Sequence, residues 1–260
     1  MTKLKFDKKA AQNLLAVYKT PDIVQQRKAI LEHLQLQRDE HILDVGSGPG
    51  FLAQDMAKEV GPQGSVWGID ISTHLIDISK SISENMPTIH FKYGEATDLE
   101  FADETFDTLI TTQVLEYVED VDQALNEFHR VLKKGRKVAL LDTDWDSIVW
   151  NSSDAPRMSR ILKAWESHAA DPFLPRSLAG RMENANFKVN KIKVIPILNP
   201  VYDPNTYSNL VIDTIVPYVI QTGRVTKEEA DLWAEDLRST NKTFSYFFSL
   251  NRYLFIGTKV

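Results

Sequence analysis

The stretch Ile42-Leu43-Asp44-Val45-Gly46-Ser47-Gly48-Pro49-Gly50-Phe51-Leu52-Ala53 limits what this chain can fold into more than any other. A short apolar run, His41 to Val45, meets a glycine cluster and passes into a helical apolar pattern at Leu52, Met56, Ala57 and Val60. That order predicts a buried strand, a tight turn and the start of a helix. Glycine admits positive φ and leaves no side chain between the backbone and a ligand. The helix start adds free N–H groups and partial positive charge. Such a turn suits a nucleotide-like cofactor.

Spacing narrows the choice of cofactor. A dinucleotide fingerprint reads G-x-G-x-x-G/A, with a small last residue for close helix–strand packing. Gly46 and Gly48 fit, but the third position is Phe51, and Gly50 falls one place early. A Walker loop needs Gly-Lys-Ser/Thr after the turn, and no lysine follows here.

The next segments alternate strands and helices. Strands are expected at His41–Val45, Ser65–Ile69, Thr88–Lys92, Phe106–Ile110 and Arg136–Asp142. Ser72 and Asp120 are placed to cap intervening helices, and Gly61-Pro62 and Gly135 to stop them. Repeated βα units of this spacing predict a parallel sheet with helices on both faces and right-handed crossovers. Before them, about Phe6 to Gln37 reads as helical, with Pro21 at a helix start. Beyond them come a helix from Pro156 to Ala170, a shorter one around Arg176–Asn184, and a strand from Phe187 to Ile197. A polar, helical insertion and a last strand, Asn251–Lys259, complete the outline.

The string Leu-Asp-Val-Gly-Ser-Gly-Pro-Gly resembles motif I of class I S-adenosylmethionine-dependent methyltransferases. Three further segments resemble the same family at the right distances: Val66-Trp67-Gly68-Ile69-Asp70, Gly94-Glu95-Ala96 through Phe106-Asp107, and Thr111-Thr112-Gln113-Val114-Leu115-Glu116-Tyr117-Val118. Four ordered motifs across Ile42 to Asp142 are far more specific than any one. They look most like the small-molecule branch, which includes ubiquinone/menaquinone-type and antibiotic-tailoring methyltransferases. Nothing resembles the Asn/Asp-Pro-Pro-Tyr motif of the amino methylases of nucleic acids and protein glutamine.

The resemblance implies an α/β, Rossmann-like, seven-stranded and mostly parallel sheet, closed by an antiparallel hairpin. It divides the chain into an N-terminal helical flap (1–40), a core (41–198 and 244–260) and a helical lid insertion (199–243). It implies S-adenosyl-L-methionine as cofactor, held by Asp44, Gly46, Ser47 and Gly48 in the turn and by Asp70 and Ile71 after strand 2. Asp70 carries the ribose: a carboxylate at that strand end accepts charge-assisted hydrogen bonds from both hydroxyls. Glu95 and the Ala96 N–H flank the adenine, although the usual acid there is Asp and Glu100 replaces the usual Pro. Gln113 lies near the methionine carbons, and Tyr18 covers that end from the flap. Gln26 and Arg27 read either as helix surface or as part of the flap.

The acceptor side falls to Asp142-Thr143-Asp144-Trp145-Asp146-Ser147-Ile148-Val149-Trp150 and to the lid, with Phe244, Tyr246, Phe247, Phe248 and Tyr253 adding rings. Aromatic walls with carboxylates suit a cationic or aromatic acceptor and lean toward an amine. His168 is the histidine best placed for a general base. Asp144 and Glu116 are the candidate pocket carboxylates. The other histidines show no metal-ligand spacing, and no metal is expected.

Composition sets outer bounds. A net charge of −6 argues against nucleic-acid or anionic-membrane partners. The absence of cysteine rules out disulfides and thiolate chemistry. Met1 to Lys9 carries four lysines and no apolar region of the signal-peptide kind, and Leu210 to Ile220 is interrupted by Asp213 and Pro217. A cytoplasmic enzyme acting on a small molecule is therefore expected, its acceptor and oligomeric state left open. The rivals are an NAD(P)-dependent oxidoreductase, against which Phe51 speaks, and a non-catalytic cofactor-binding protein.

Overall fold

The computed structural model describes residues 8–240 and 245–260. Phe6 and Phe244, expected respectively in the first helix and among the late aromatic residues, lie outside that range.

Two helices, α1 (Lys8–Tyr18) and α2 (Pro21–Leu34), precede the sheet, and Pro21 opens α2. The order is then β1 (His41–Val45), α3 (Phe51–Val60), β2 (Ser65–Asp70), α4 (Thr73–Ile82), β3 (Ile89–Tyr93), β4 (Phe106–Thr112), α5 (Val121–Val131) and β5 (Leu132–Thr143). After β5 come β6 (Val149–Trp150), α6 (Ala155–Trp165), α7 (Pro175–Asn184), β7 (Phe187–Asn199), α8 (Tyr207–Gln221), α9 (Lys227–Ser239) and β8 (Phe248–Lys259).

The strands run β3-β2-β1-β4-β5-β8, parallel through β5, and β8 lies antiparallel to β5. Both β7 and the two-residue β6 pair antiparallel with β8. The sheet thus has eight strands rather than seven, the extra one being the Val149–Trp150 pairing with Phe248 and Ser249. The α/β class and the closing hairpin stand as expected.

One boundary differs for a clear reason. Gly135 was expected to end the helix before strand 5, but α5 ends at Val131 and β5 begins at Leu132, paired with Phe106. Gly135 instead sits at φ +73° where the β4–β5 register shifts, the work of a bulge glycine. The Ser72 and Asp120 caps form: Ser72 Oγ accepts from Leu75 N at 3.4 Å and Asp120 Oδ1 from Gln123 N at 2.9 Å.

Alternation along β1 feeds two cores. Leu43 and Val45 pack with Leu125 and Phe128 of α5 and Leu178 and Met182 of α7. Ile42 faces Ile30 of α2, Met56 and Val60 of α3, and Ile76 of α4. A third core, beyond the C-terminal end of β5 and over the N-terminal end of β8, joins α6, α8 and α9 around Trp145, Trp150, Trp165 and Trp233. Among the described residues no helix is long and apolar enough to cross a membrane.

Candidate active site

Strand order reverses about β1: β2 and β3 build outward on one side, β4 and β5 on the other. The C-terminal ends of β1 and β4 therefore flank the crevice where open α/β sheets place ligands. Here a cavity of about 240 Å³ lies between those strand ends, α1 and α8.

The glycine turn forms its floor. Gly46 N and Ser47 N both donate to the Ile69 carbonyl, at 2.8 and 2.9 Å, which straps the turn to β2. Gly46 takes φ +70°, and a Cβ there would lie 2.2 Å from Val114 Cγ2. The turn and the segment after β4 can pack this closely only because position 46 has no side chain.

Asp70 ends β2. Its Oδ2 accepts from Gly48 N at 3.0 Å and its Oδ1 from Ser72 N at 2.8 Å, so both oxygens are oriented and each keeps lone-pair capacity. Burial raises its pKa while those two N–H groups pull it back down. Asp44 differs. It is 1% exposed, and neither carboxylate oxygen has a hydrogen-bond partner. Burial, aided by Asp70, pushes its pKa up to about 8. An orphaned buried carboxylate of this kind awaits a cationic donor. Ser47 Oγ beside it is also buried without a partner.

Of the residues expected to hold cofactor, Tyr18, Gly46, Gly48 and Asp70 line the cavity, as do Ile71, Ala96 and Gln113. Asp44 and Ser47 flank Val45 and Gly46 at the end of β1, buried rather than on the wall. Glu95 is exposed and accepts from the Tyr93 hydroxyl at 2.9 Å, leaving Ala96 as the wall residue of that pair. Gln113 adopts φ +57°, an uncommon state for a non-glycine residue. Its N–H donates to the Leu141 carbonyl at 2.6 Å and its Nε2 to Thr143 Oγ1 at 3.3 Å. Tyr18 reaches over the turn from α1, and burial together with the nearby Asp44 pushes its pKa up to about 12. Gln26 and Arg27 are buried, not surface: Arg27 Nη1 donates to the Tyr18 carbonyl at 2.7 Å and its Nε to Asp55 at 3.1 Å.

None of the three candidate catalytic residues is on the cavity wall. Glu116 is fully buried, with Oε2 accepting from Thr143 N at 2.9 Å and Oε1 from Trp145 Nε1 at 3.2 Å. Its neighbour Asp142 accepts from Glu116 N at 3.2 Å, and burial with the Glu116 charge holds Asp142 well above the ordinary carboxylate range. These acids brace the loops after β4 and β5. Asp144 forms a two-point ion pair with Arg176, at 2.8 and 2.9 Å, and Arg176 also binds Asp146 at 2.8 Å. His168 stacks on Trp165 with centroids 3.8 Å apart and bonds through Nδ1 to the Trp165 carbonyl at 2.7 Å. Burial drives its pKa down to about 3, which leaves it a weak base behind the Trp145–Trp165 wall. The lean toward an amine thereby loses the carboxylates it rested on.

Arg252, Tyr207, Val211 and Thr214 also line the cavity and escaped the sequence reading. One signal was present. Arg252 falls in phase with Leu250 and Leu254 on the buried register of the last strand. Among the described residues, no cluster of His, Asp or Glu could hold a metal ion.

Comparison with known proteins agrees with this geometry. Demethylmenaquinone methyltransferase of Lactobacillus johnsonii is 36% identical over 145 residues, 55% of this chain and 55% of that protein. A 37.1 kDa protein encoded in transposon TN4556 of Streptomyces fradiae is 32% identical over 163 residues, 62% of this chain and 46% of that one. The chain spans about half the length of these curated relatives. Among solved structures, Haemonchus contortus phosphoethanolamine N-methyltransferase 2 with S-adenosylhomocysteine superposes with a TM-score of 0.64. At 17% identity, over 98% of this chain and 58% of that one, it shows a common fold. A family model described as a methyltransferase domain matches residues 36–173, from the end of α2 past the segment after β5. The chain belongs to the class I S-adenosylmethionine-dependent methyltransferase family.

Proposed function

We propose that the protein transfers a methyl group from S-adenosylmethionine to a small-molecule acceptor. The observation that carries this reading is the pairing of two unlike carboxylates at adjacent strand ends. Asp70 has its oxygens oriented by Gly48 N and Ser72 N, and Asp44 is buried with both oxygens unpartnered. A ribose diol suits the first, and the ammonium of an amino-acid moiety suits the second. Ser47 Oγ and the Ala96 backbone add polar contacts along the same floor.

When bound, the cofactor supplies a sulfonium methyl already activated for in-line displacement. The chain's own residues then orient and enclose. Tyr18 and α8 roof the cavity, and Trp145, Trp165, Tyr207 and Val211 exclude water from its far end. Alignment of this kind contributes about 7–11 kcal/mol to lowering a bimolecular barrier. The helices at 1–40 and 199–243 act in this scheme as flap and lid. With Glu116, Asp144 and His168 engaged elsewhere, the reading assigns the reaction to positioning rather than to a dedicated base among them. An acceptor of the aromatic type named for the menaquinone relative fits the ring-lined far end.

Calorimetric titration with S-adenosylmethionine, S-adenosylhomocysteine and NADH tests the reading. Binding of the first two and not the third is expected, followed by methyl transfer in a screen of phenols, amines and carboxylic acids. Binding of NADH alone overturns it.

A further inference from the structure

Arg252 is the one cation on the cavity wall among the described residues, and it is 1% exposed. It comes from β8, where it pairs in register with Thr143 of β5 and Ile195 of β7, so its backbone is fixed from both sides. Its direct side-chain partners are neutral. Nη1 donates to Gln26 Oε1 of α2, and the guanidinium carbon lies 4.8 Å from the centroid of the Tyr207 ring. Burial keeps the Tyr207 phenol protonated. Glu116, the carboxylate whose charge reaches Arg252, spends its oxygens on Thr143 N and Trp145 Nε1. Arg252 Nε is buried with no hydrogen-bond partner.

Gln26 and the Tyr207 phenol hold the guanidinium and the Glu116 charge reaches it, yet among the described residues no carboxylate touches it and Nε has no acceptor, so its compensation is incomplete. A free N–H remains to be satisfied, and the fork of a guanidinium matches a carboxylate at two points. The site is built rather than incidental: α2, β8 and α8 each contribute a side chain to it.

We propose that Arg252 is an oxyanion seat, taking a carboxylate or ionised hydroxyl of a molecule held in the cavity. This rests on the methyltransferase reading and gives its pocket a charge preference. Two molecules could bring the oxyanion: an acidic aromatic acceptor, or the cofactor through its own amino-acid carboxylate. The seat shares its wall with Trp145, Trp165 and Tyr207, where an acceptor belongs.

The test is calorimetric, on the full chain and on Arg252→Gln and Arg252→Lys. One arm compares S-adenosylhomocysteine with its decarboxylated analogue. The other, at saturating S-adenosylhomocysteine, compares 1-naphthoate with the neutral 1-naphthamide. The expected result is at least a tenfold preference for the anionic member of one pair in the parent protein. That preference vanishes in Arg252→Gln and partly returns in Arg252→Lys, and the pair that shows it identifies the source. The parent comparison needs no variant to fold, and the two variants are checked by thermal melting. A parent protein with no charge preference in either arm overturns the seat, as does an Arg252→Gln variant that keeps the parent's preference. Failure of the parent to bind either adenosyl compound is a different result. It overturns the methyltransferase reading and leaves the naphthoate arm, run without the adenosyl compound, to decide the seat alone.

Discussion

The two ends of the cavity are made in opposite ways. At the floor, the end of β1 and the glycine turn bring bare backbone against the cavity, and the end of β2 supplies a carboxylate already hydrogen-bonded to two of its neighbours. At the far end the wall is aromatic and aliphatic with a single cation among the described residues, assembled from residues as far apart as Ile23 and Arg252. Backbone geometry dictates the first end, and side-chain packing on a separate core dictates the second. A floor of the first kind tolerates many outer sequences. A wall of the second kind is where one relative would come to differ from another.

Substitutions can separate the two ends. The largest effect is expected for Trp233→Ala in the third core, where the ring is fully buried against Trp150 and Met158. Loss of about 3–5 kcal/mol is expected in urea unfolding. S-adenosylhomocysteine affinity, measured where the variant is folded, should move by less than tenfold. A collapse of cofactor binding in the folded variant would show that the ends are not independent. Next, Asp70→Ala removes two charge-assisted acceptors from the ribose and releases Gly48 N and Ser72 N, and should weaken S-adenosylhomocysteine about a hundredfold. Equal affinity would remove Asp70 from the ribose site.

The third prediction concerns pH. Asp44 has a folded-state pKa of about 8, raised from 3.8 by burial, so the empty protein holds a proton there at neutral pH. A ligand ammonium favours the ionised form, so binding should release a proton. Affinity should rise by up to about tenfold per pH unit toward pH 8 and then level off. For stability the sign is opposite. A carboxyl with a raised folded pKa contributes most below its unfolded pKa, and that contribution fades as pH climbs from about 4 to about 8. Asp44→Asn should flatten both profiles, read by calorimetry in buffers of different ionisation enthalpy and by melting. The smallest effect compares two helix caps. Thr226 Oγ1 accepts from Glu229 N at 3.1 Å to start α9, and Thr226→Ala should cost about 1 kcal/mol. Ser72→Ala, whose cap bond is 3.4 Å, should cost less in the same unfolding measurement.

Much of the floor was legible because its chemistry is contiguous. Gly46, Gly48 and Asp70 follow from the order strand, glycine turn, helix and second strand, and the structure puts all three on the cavity wall. Glu95 illustrates the limit: its position after β3 is clear in sequence, but which way a long exposed side chain turns is not. The far end was harder to read because nothing in the sequence says which acid pairs with which base. Asp144 and Asp146 looked like free carboxylates until Arg176, some thirty residues on, came to lie against them. His168 looked like a base, and the indole stacked on it made it a buried neutral ring. Arg252 was hidden on a buried register otherwise filled by Phe248, Leu250, Leu254 and Ile256.

That strand has a consequence for how the protein assembles. β8 does not extend the sheet at its rim but inserts between β5 and β7, and Ser147 after β5 meets Asn251 across 104 residues of chain. Until it arrives, β5 has one unpaired side, a row of exposed amides and carbonyls open to other chains. Pairing at so long a separation is slow, because the intervening loop must close first. The glycine floor is built from contacts local in sequence, whereas Arg252 joins the cavity only when β8 has paired with β5 and β7.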